Sequence, residues 1–175
     1  KSSTTQIKYG NSSMYFDGVG DYVSIPSSTN FDFGTGDFTL ETWANLSALS
    51  TNRILIDKWS TGNVNSWQLY WRGTGTSIAF YVGSTVVVQD PNPSNIVVGE
   101  WNHIALSKSG TTVRLFINGI VVATNTSSVS YTNTVPIGLG AQLSTATNYL
   151  SGYMQDFRIT KGLARYTTNF TPPAA

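Results

Sequence analysis

Apolar and polar residues alternate with a period of two through most of this chain, in short runs broken by Gly, Asn, Ser and Pro. That pattern marks strands half buried on a sheet. The clearest stretch is EWNHIALSKSGTTVRLFINGIVVA, from Glu100 to Ala123. It predicts strands at 101–107, 113–117 and 120–123, turning at Lys108-Ser109-Gly110 and at Asn118-Gly119. Asn-Gly between apolar runs is the strongest short-range hairpin signal, because a type I′ turn needs positive φ at both central residues. In the first strand Asn102, Ile104 and Leu106 share a face opposite Trp101, His103 and Ala105; in the second, Val113, Leu115 and Ile117 oppose Arg114 and Phe116. One face is plainly apolar and the other mixed, as in a sheet that packs on one side. A hairpin cannot stand alone in water, so this meander belongs to a larger sheet facing another layer.

The same alternation predicts strands at 13–16, 22–25, 38–46, 53–59, 67–72, 78–82 and 85–89, one or two within 129–140, and a closing strand at 149–159. Residues 1–12 read as a polar lead-in arm and 160–175 as a tail, with a short helical turn at 161–166. Pro91 and Pro93 keep 90–99 out of a sheet interior. No amphipathic helix of useful length is evident, so the prediction is one all-β domain over 1–175, an antiparallel sandwich.

Three segments carry a family resemblance. Trp101-Asn102-His103-Ile104-Ala105 with Val113 to Gly119 resembles the W-x-H-x-A and L-x-x-D/N-G pattern of laminin-G-like, concanavalin A-like jelly rolls. Met14 to Val23 followed by Asp37-Phe38-Thr39-Leu40-Glu41-Thr42-Trp43 is similar to that family's opening, and Gly152-Tyr153-Met154-Gln155-Asp156-Phe157-Arg158-Ile159 to its closing strand. The resemblance spans Met14 to Ile159 and implies a jelly-roll sandwich; a fold of this kind hosts many functions. The ending from Asp156 to Pro173 resembles laminin-G-like domains of bacteriophage and marine viral structural proteins, a pattern that bacterial adhesins share.

Composition narrows the setting. Only 11% of the residues are charged, against about 25% in ordinary domains, and the net charge is +1. That argues against a nucleic-acid surface. Ser, Thr, Asn and Gly take the place of charge, which suits an extracellular or virion setting, and no apolar run is long enough for a membrane helix. There is no cysteine. Asn11, Asn45, Asn125 and Asn169 head N-x-[ST] sequons, a motif that chance also produces in so Ser/Thr-rich a chain.

Catalysis finds few residues to work with. His103 is the only histidine, so its expected role is structural, a strand imidazole bonded to a neighbour. Several His or Cys ligands would be needed for zinc. The glucanases that share the resembled fold carry an E-x-D-x-x-E strand; here Glu41 and Glu100 are the only glutamates and stand far apart. Calcium has more support. Asp17 and Asp21 end a glycine-bearing loop that either wraps a hard cation or caps a tight turn through its own backbone. The resemblance implies a structural calcium held by Asp17, Asp21, Asp156 and carbonyls such as that of Gly18. The calcium site of the related pentraxins has no counterpart, since 137–144 contains no acid.

Glycan binding needs aromatic faces bordered by amides or guanidinium groups. Residues 59–72 are the best place for it. Trp67, Leu69 and Trp71 share one strand face, leaving Gln68, Tyr70 and Arg72 as a polar aromatic row, with Tyr81 beside it and Trp59, Asn63 and Asn65 at its border. The expectation is a non-catalytic module binding cell-surface glycans within a phage appendage or adhesin, alongside other domains or protomers. The alternative is a structural or protein-interaction domain of a virion or multidomain surface protein, and a hydrolase comes third.

Overall fold

The Asn118-Gly119 dipeptide turns the chain as its residue types require, with φ of 51° and 80°. In the computed structural model, which describes residues 1–73 and 77–174, the strands are β1 (Ser2–Ser3), β2 (Ser13–Asp17), β3 (Val23–Ile25), β4 (Phe38–Leu46), β5 (Arg53–Lys58), β6 (Trp67–Trp71), β7 (Ile78–Val82), β8 (Thr85–Gln89), β9 (Trp101–Ser109), β10 (Thr112–Ile117), β11 (Ile120–Thr126), β12 (Ile137–Leu139) and β13 (Ser151–Lys161). They form two antiparallel sheets, ordered β1-β2-β13-β4-β9-β10-β11 and β3-β12-β5-β6-β7-β8. This is the jelly-roll sandwich that the alternation and the resemblance predicted.

The core lies between the sheets. Phe38, Leu40, Ala44 and Leu46 of β4 and Ile104 and Leu106 of β9 share it with Trp67, Leu69 and Trp71 of β6 and Phe80 of β7. Each such large side chain, once buried, contributes roughly 1.5–3 kcal/mol. Phe33, from the connection before β4, stacks on Phe38 at 4.3 Å and caps this end of the core.

Two bulges decide which side chains face inward. In β5 the pairing with β6 shifts between Ile54 and Ile56, so Leu55 and Ile56 both join the core while Ile54 packs in a separate outer cluster. The shift also sends Lys58 inward, where Nζ donates to Asp32 Oδ1 and Asn133 Oδ1, each at 3.0 Å, and to the Asn133 carbonyl. In β13 the pairing with β4 shifts between Gln155 and Arg158, and Asp156 sits at φ 50°. A bulge of this kind re-aims a side chain that strict alternation would place on the other face.

Three expectations change. No helical turn forms at 161–166, because β13 runs on to Lys161 and the following residues lie against the sheet through Tyr166 and Phe170. The lead-in arm is not loose: Ser2–Ser3 pairs with β2 as the first strand of its sheet. The mixed face of β9 is covered as well, since His103 and Ala105 are buried and the Tyr166 and Phe170 rings lie against His103.

Candidate functional site

The loop between β5 and β6 is built by its own polar residues. Asn63 Oδ1 accepts from Asn65 N at 3.0 Å, Ser66 N donates to the Asn63 carbonyl, and Ser60 N donates to Ser66 Oγ. Such Asx turns are what Asn and Ser do in short loops. The loop then docks on the β7–β8 hairpin: Gly83 N donates to the Ser66 carbonyl at 2.7 Å, and Trp59 Nε1 donates to the Gly83 carbonyl at 3.2 Å. A side chain at Gly83, where φ is 57°, would meet the Val64 carbonyl at 2.9 Å, so glycine lets the two loops close. Between them Trp59, Gly62, Asn63, Val64, Gly83 and Ser84 enclose a cleft of about 170 Å³. The Trp59 ring is half-buried and oriented by its bonded edge, and Val64 is 75% exposed.

The residues singled out in the sequence divide. Trp59 and Asn63 line the cleft, and the half-buried Tyr81 adjoins it through a 2.8 Å hydroxyl bond to the Ser84 carbonyl. Asn65 holds the loop instead, its carbonyl accepting from Asn133 Nδ2. The row of Gln68, Tyr70 and Arg72 does not form an open aromatic platform. Gln68 and Tyr70 are 7% and 8% exposed, Tyr70 packing on Ile54, Ala79 and Tyr81, while Arg72 donates to Gln89 Oε1. The inner position of Trp67, Leu69 and Trp71 was read correctly; what the alternation missed is that the outer face is also partly filled.

Asp57 was not among the candidates. The β5 bulge turns it to the outer face beside Gln68, whose Nε2 donates to Oδ1 at 2.9 Å, and Leu143 N donates to Oδ2 at 3.1 Å. Burial pushes this carboxyl up to about 7, against the lowering effect of the Gln68 and backbone hydrogen bonds. Leu143 can reach across because position 138 is glycine, where a Cβ would meet the Leu143 side chain at 2.7 Å. An isolated Gly in an apolar strand was the one sequence signal for this close approach.

The predicted calcium set does not come together. Asp17 and Asp21 are close, both facing the Lys1 ammonium at 4.0 and 3.7 Å, and Gly18 turns between them over Ser151. Asp17 Oδ1 accepts from Val19 N at 2.9 Å, and that bond holds its carboxyl below the usual range. Asp156 lies elsewhere: Ser151 is the residue paired with Asp17, and five further residues of strand are roughly 16 Å. The β13 bulge gives Asp156 to the Tyr9 hydroxyl at 2.7 Å and to Arg158 at 3.5 Å. Of the three expected carboxylates only Asp17 and Asp21 meet, and among the described residues no group of three or more His, Asp or Glu side chains has metal-holding geometry.

His103 and Glu41 meet under the C-terminal segment. His103 Nε2 is 3.4 Å from Glu41 Oε2, the Tyr166 hydroxyl donates to the same oxygen at 2.7 Å, and Arg165 Nε is 3.0 Å from Oε1. Burial works to raise the Glu41 carboxyl, but these partners outweigh it and hold the group below its ordinary value. Asn45, which heads a sequon, is buried with Nδ2 bonded to the Gly99 carbonyl, so the folded chain offers no acceptor there.

Comparison with known structures finds the same architecture. Domain 4 of AbnA, a GH43 extracellular arabinanase from Geobacillus stearothermophilus in complex with arabinotriose, superposes with a TM-score of 0.71 at 18% identity, covering 92% of this chain and 74% of that one. The Ruminococcus gnavus IT-sialidase CBM40 bound to α2,3 sialyllactose gives 0.61 at 15% identity, over 84% and 92%. Domains LG4-5 of the mouse laminin alpha1 chain give 0.65 at 19% identity, over 85% of this chain and 41% of that one. At these identities the likeness is one of fold. No curated protein matches by sequence. The Laminin_G_3 family model matches residues 17–164, and by that match, over the strands described above, the chain belongs to the concanavalin A-like lectin/glucanases superfamily.

Proposed function

We propose that this domain is a non-catalytic carbohydrate-binding module that recognises cell-surface glycans from an extracellular or virion-borne assembly. The observation that carries the reading is the cleft between the two docked loops, where the Trp59 ring, fixed by its bond to Gly83, borders Asn63, Val64 and Ser84. A sugar lays its C–H face on an indole and sends its hydroxyls to amide and hydroxyl neighbours. Asn63 uses Oδ1 within the loop, and Nδ2 is its group for the sugar. The arabinanase domain complexed with arabinotriose and the CBM40 bound to sialyllactose support the reading by using this fold as a sugar platform.

Binding without cleavage fits the carboxylates. Glu41 is enclosed by His103, Tyr166 and Arg165, and the carboxylate nearest it, Asp156, is tied with it to the one Arg158 guanidinium, so both acids are held in ion pairs instead of facing an open cleft as glycoside hydrolysis demands. A single shallow cleft binds weakly, and repetition on a fibre or multidomain chain would raise the avidity. A glycan array followed by calorimetric titration tests this. The expected result is millimolar or tighter binding that Trp59→Ala weakens at least about tenfold. Absence of binding to any cell-envelope glycan at millimolar sugar, with or without calcium, would overturn it.

A further inference from the structure

The cleft beside Trp59 does not end at Val64. Val64, Gly83 and Ser84 also line a second cavity, of about 460 Å³, nearly three times the size of the first. It follows the seam where β8 and β11, the last strands of the two sheets, come side by side. Asn125 holds the seam through an Nδ2 bond to the Val87 carbonyl at 2.6 Å. The far wall is residues 126–129, anchored where the Tyr131 hydroxyl donates to Ser127 Oγ at 2.6 Å and Ser127 N donates to the Thr111 carbonyl. The trough is therefore made of framework, not of loose chain.

None of the residues lining either cavity carries a charge. Hydroxyls of Ser84, Thr85 and Ser128 alternate with apolar surface from Val64, Val86 and Val129. A carboxylate or sulfate lying here would lose water and meet no Arg or Lys. A chain of neutral sugars meets what it needs, apolar patches for its C–H faces and small polar groups for its hydroxyls.

We infer that the ligand is an extended, uncharged oligosaccharide, one unit resting on Trp59 and the following units passing Val64 to lie along the β8–β11 seam toward Ser128. This rests on the carbohydrate reading above and adds the charge and length of the ligand. Affinity then climbs with each unit until the seam is filled, and a single sugar engages only the Trp59 end.

The test is titration of the full chain with neutral oligosaccharides of increasing length and with their uronic-acid counterparts, followed by calorimetry and by the indole N–H signal of Trp59. The expected result is a gain of about tenfold or more from one unit to four, and acidic chains at least about tenfold weaker. Ser128→Trp, at an exposed position, and Thr85→Trp should each abolish the gain with length while leaving the Trp59 shift by a single sugar in place. Affinity that ignores length, acidic chains that bind as well as neutral ones, or displacement of the sugar by an extended peptide would overturn the inference. If short sugars move Trp59 but the length series is flat, only the extension fails; if no glycan of any length binds, the carbohydrate reading fails with it.

Discussion

The Tyr166 hydroxyl donates to Glu41 Oε2 at 2.7 Å, tying the C-terminal segment to a strand near the centre of the seven-stranded sheet. The contact is reinforced on both sides. Tyr166 stacks on Phe170 at 3.5 Å with planes 5° apart, and Phe170 N donates to the Gly119 carbonyl at 2.9 Å. From the other terminus Lys8 lies over the Trp43 ring at 4.1 Å, and Tyr9 bonds to Asp156. Both ends of the chain therefore roof the outer face of this sheet, leaving the Trp59 cleft and the β8–β11 seam uncovered.

Glu41 should make the fold acid-sensitive. Its folded-state pKa lies below the ordinary 4.5, so the stability it contributes is complete above that value and is lost as pH falls through the lower, folded value. Glu41→Gln is expected to cost about 2–4 kcal/mol at neutral pH, because an uncharged amide with a single acceptor oxygen cannot serve Arg165 and Arg158 on one side and His103 and Tyr166 on the other, and to flatten the acid limb. Urea unfolding between pH 2.5 and 7 measures both.

Asp57 works in the opposite direction. Its carboxyl titrates near 7 in the folded chain against an ordinary 3.8, so its contribution is complete below the ordinary value and is lost as pH rises through about 7. The loss should reach a few kcal/mol at pH 8. Asp57→Asn should remove that slope and stabilise the protein at pH 8, since the Gln68 amide can turn over to accept from the new NH₂ group. Thermal melts across pH 4–9 would show it.

Gly119 bears the roof. Its φ is 80°, and a Cβ there would collide with the Phe170 carbonyl. Gly119→Ala is expected to lift residues 166–172 and to cost more than about 1 kcal/mol. Faster amide exchange at Phe170, with β4 and β9 still protected, is the expected signature.

Binding and stability should separate between two aromatic residues. Tyr70→Ala is expected to cost about 3–5 kcal/mol while leaving glycan affinity within twofold, because the ring fills the Ile54 and Ala79 cluster. Trp59→Ala should do the reverse, weakening the glycan with a smaller loss of stability. Paired calorimetry and urea titrations of the two variants decide this.

Lys58→Met removes a fully buried ammonium from Asp32 and Asn133, leaving the Asp32 carboxylate without its counter-charge and each Oδ1 with only a backbone donor, Asn133 N and Val135 N. A cost of about 3 kcal/mol in urea unfolding is expected. Adding Asp32→Asn should recover part of it, as the remaining partner would no longer be charged.

Much of the site could be seen before the fold. Alternation separated Trp67, Leu69 and Trp71 from Gln68 and Tyr70, and put Trp59 and Asn63 at the border of the candidate surface, where they line the cleft. The cleft itself could not be seen, because its other wall is Gly83 and Ser84, and its extension lies some forty residues further on, at Asn125 to Ser128. Asp156 stands apart from Asp17 and Asp21 for a related reason: it shares its strand with the partner of Asp17, but a bulge and five residues of rise separate them.

By itself the sequence determined the strands, the apolar face of each, the Asn118-Gly119 turn and hence the two-layer sandwich, since these depend on residue type and a period of two that neighbours in the chain impose. Only the tertiary structure decided that the outer faces are partly roofed, that Lys58 turns in and Asp57 out, and that the loops at Trp59 and Ser84 meet. A bulge depends on how two strands register, and a cleft on segments brought together across the chain, and neither is written in the alternation of one strand.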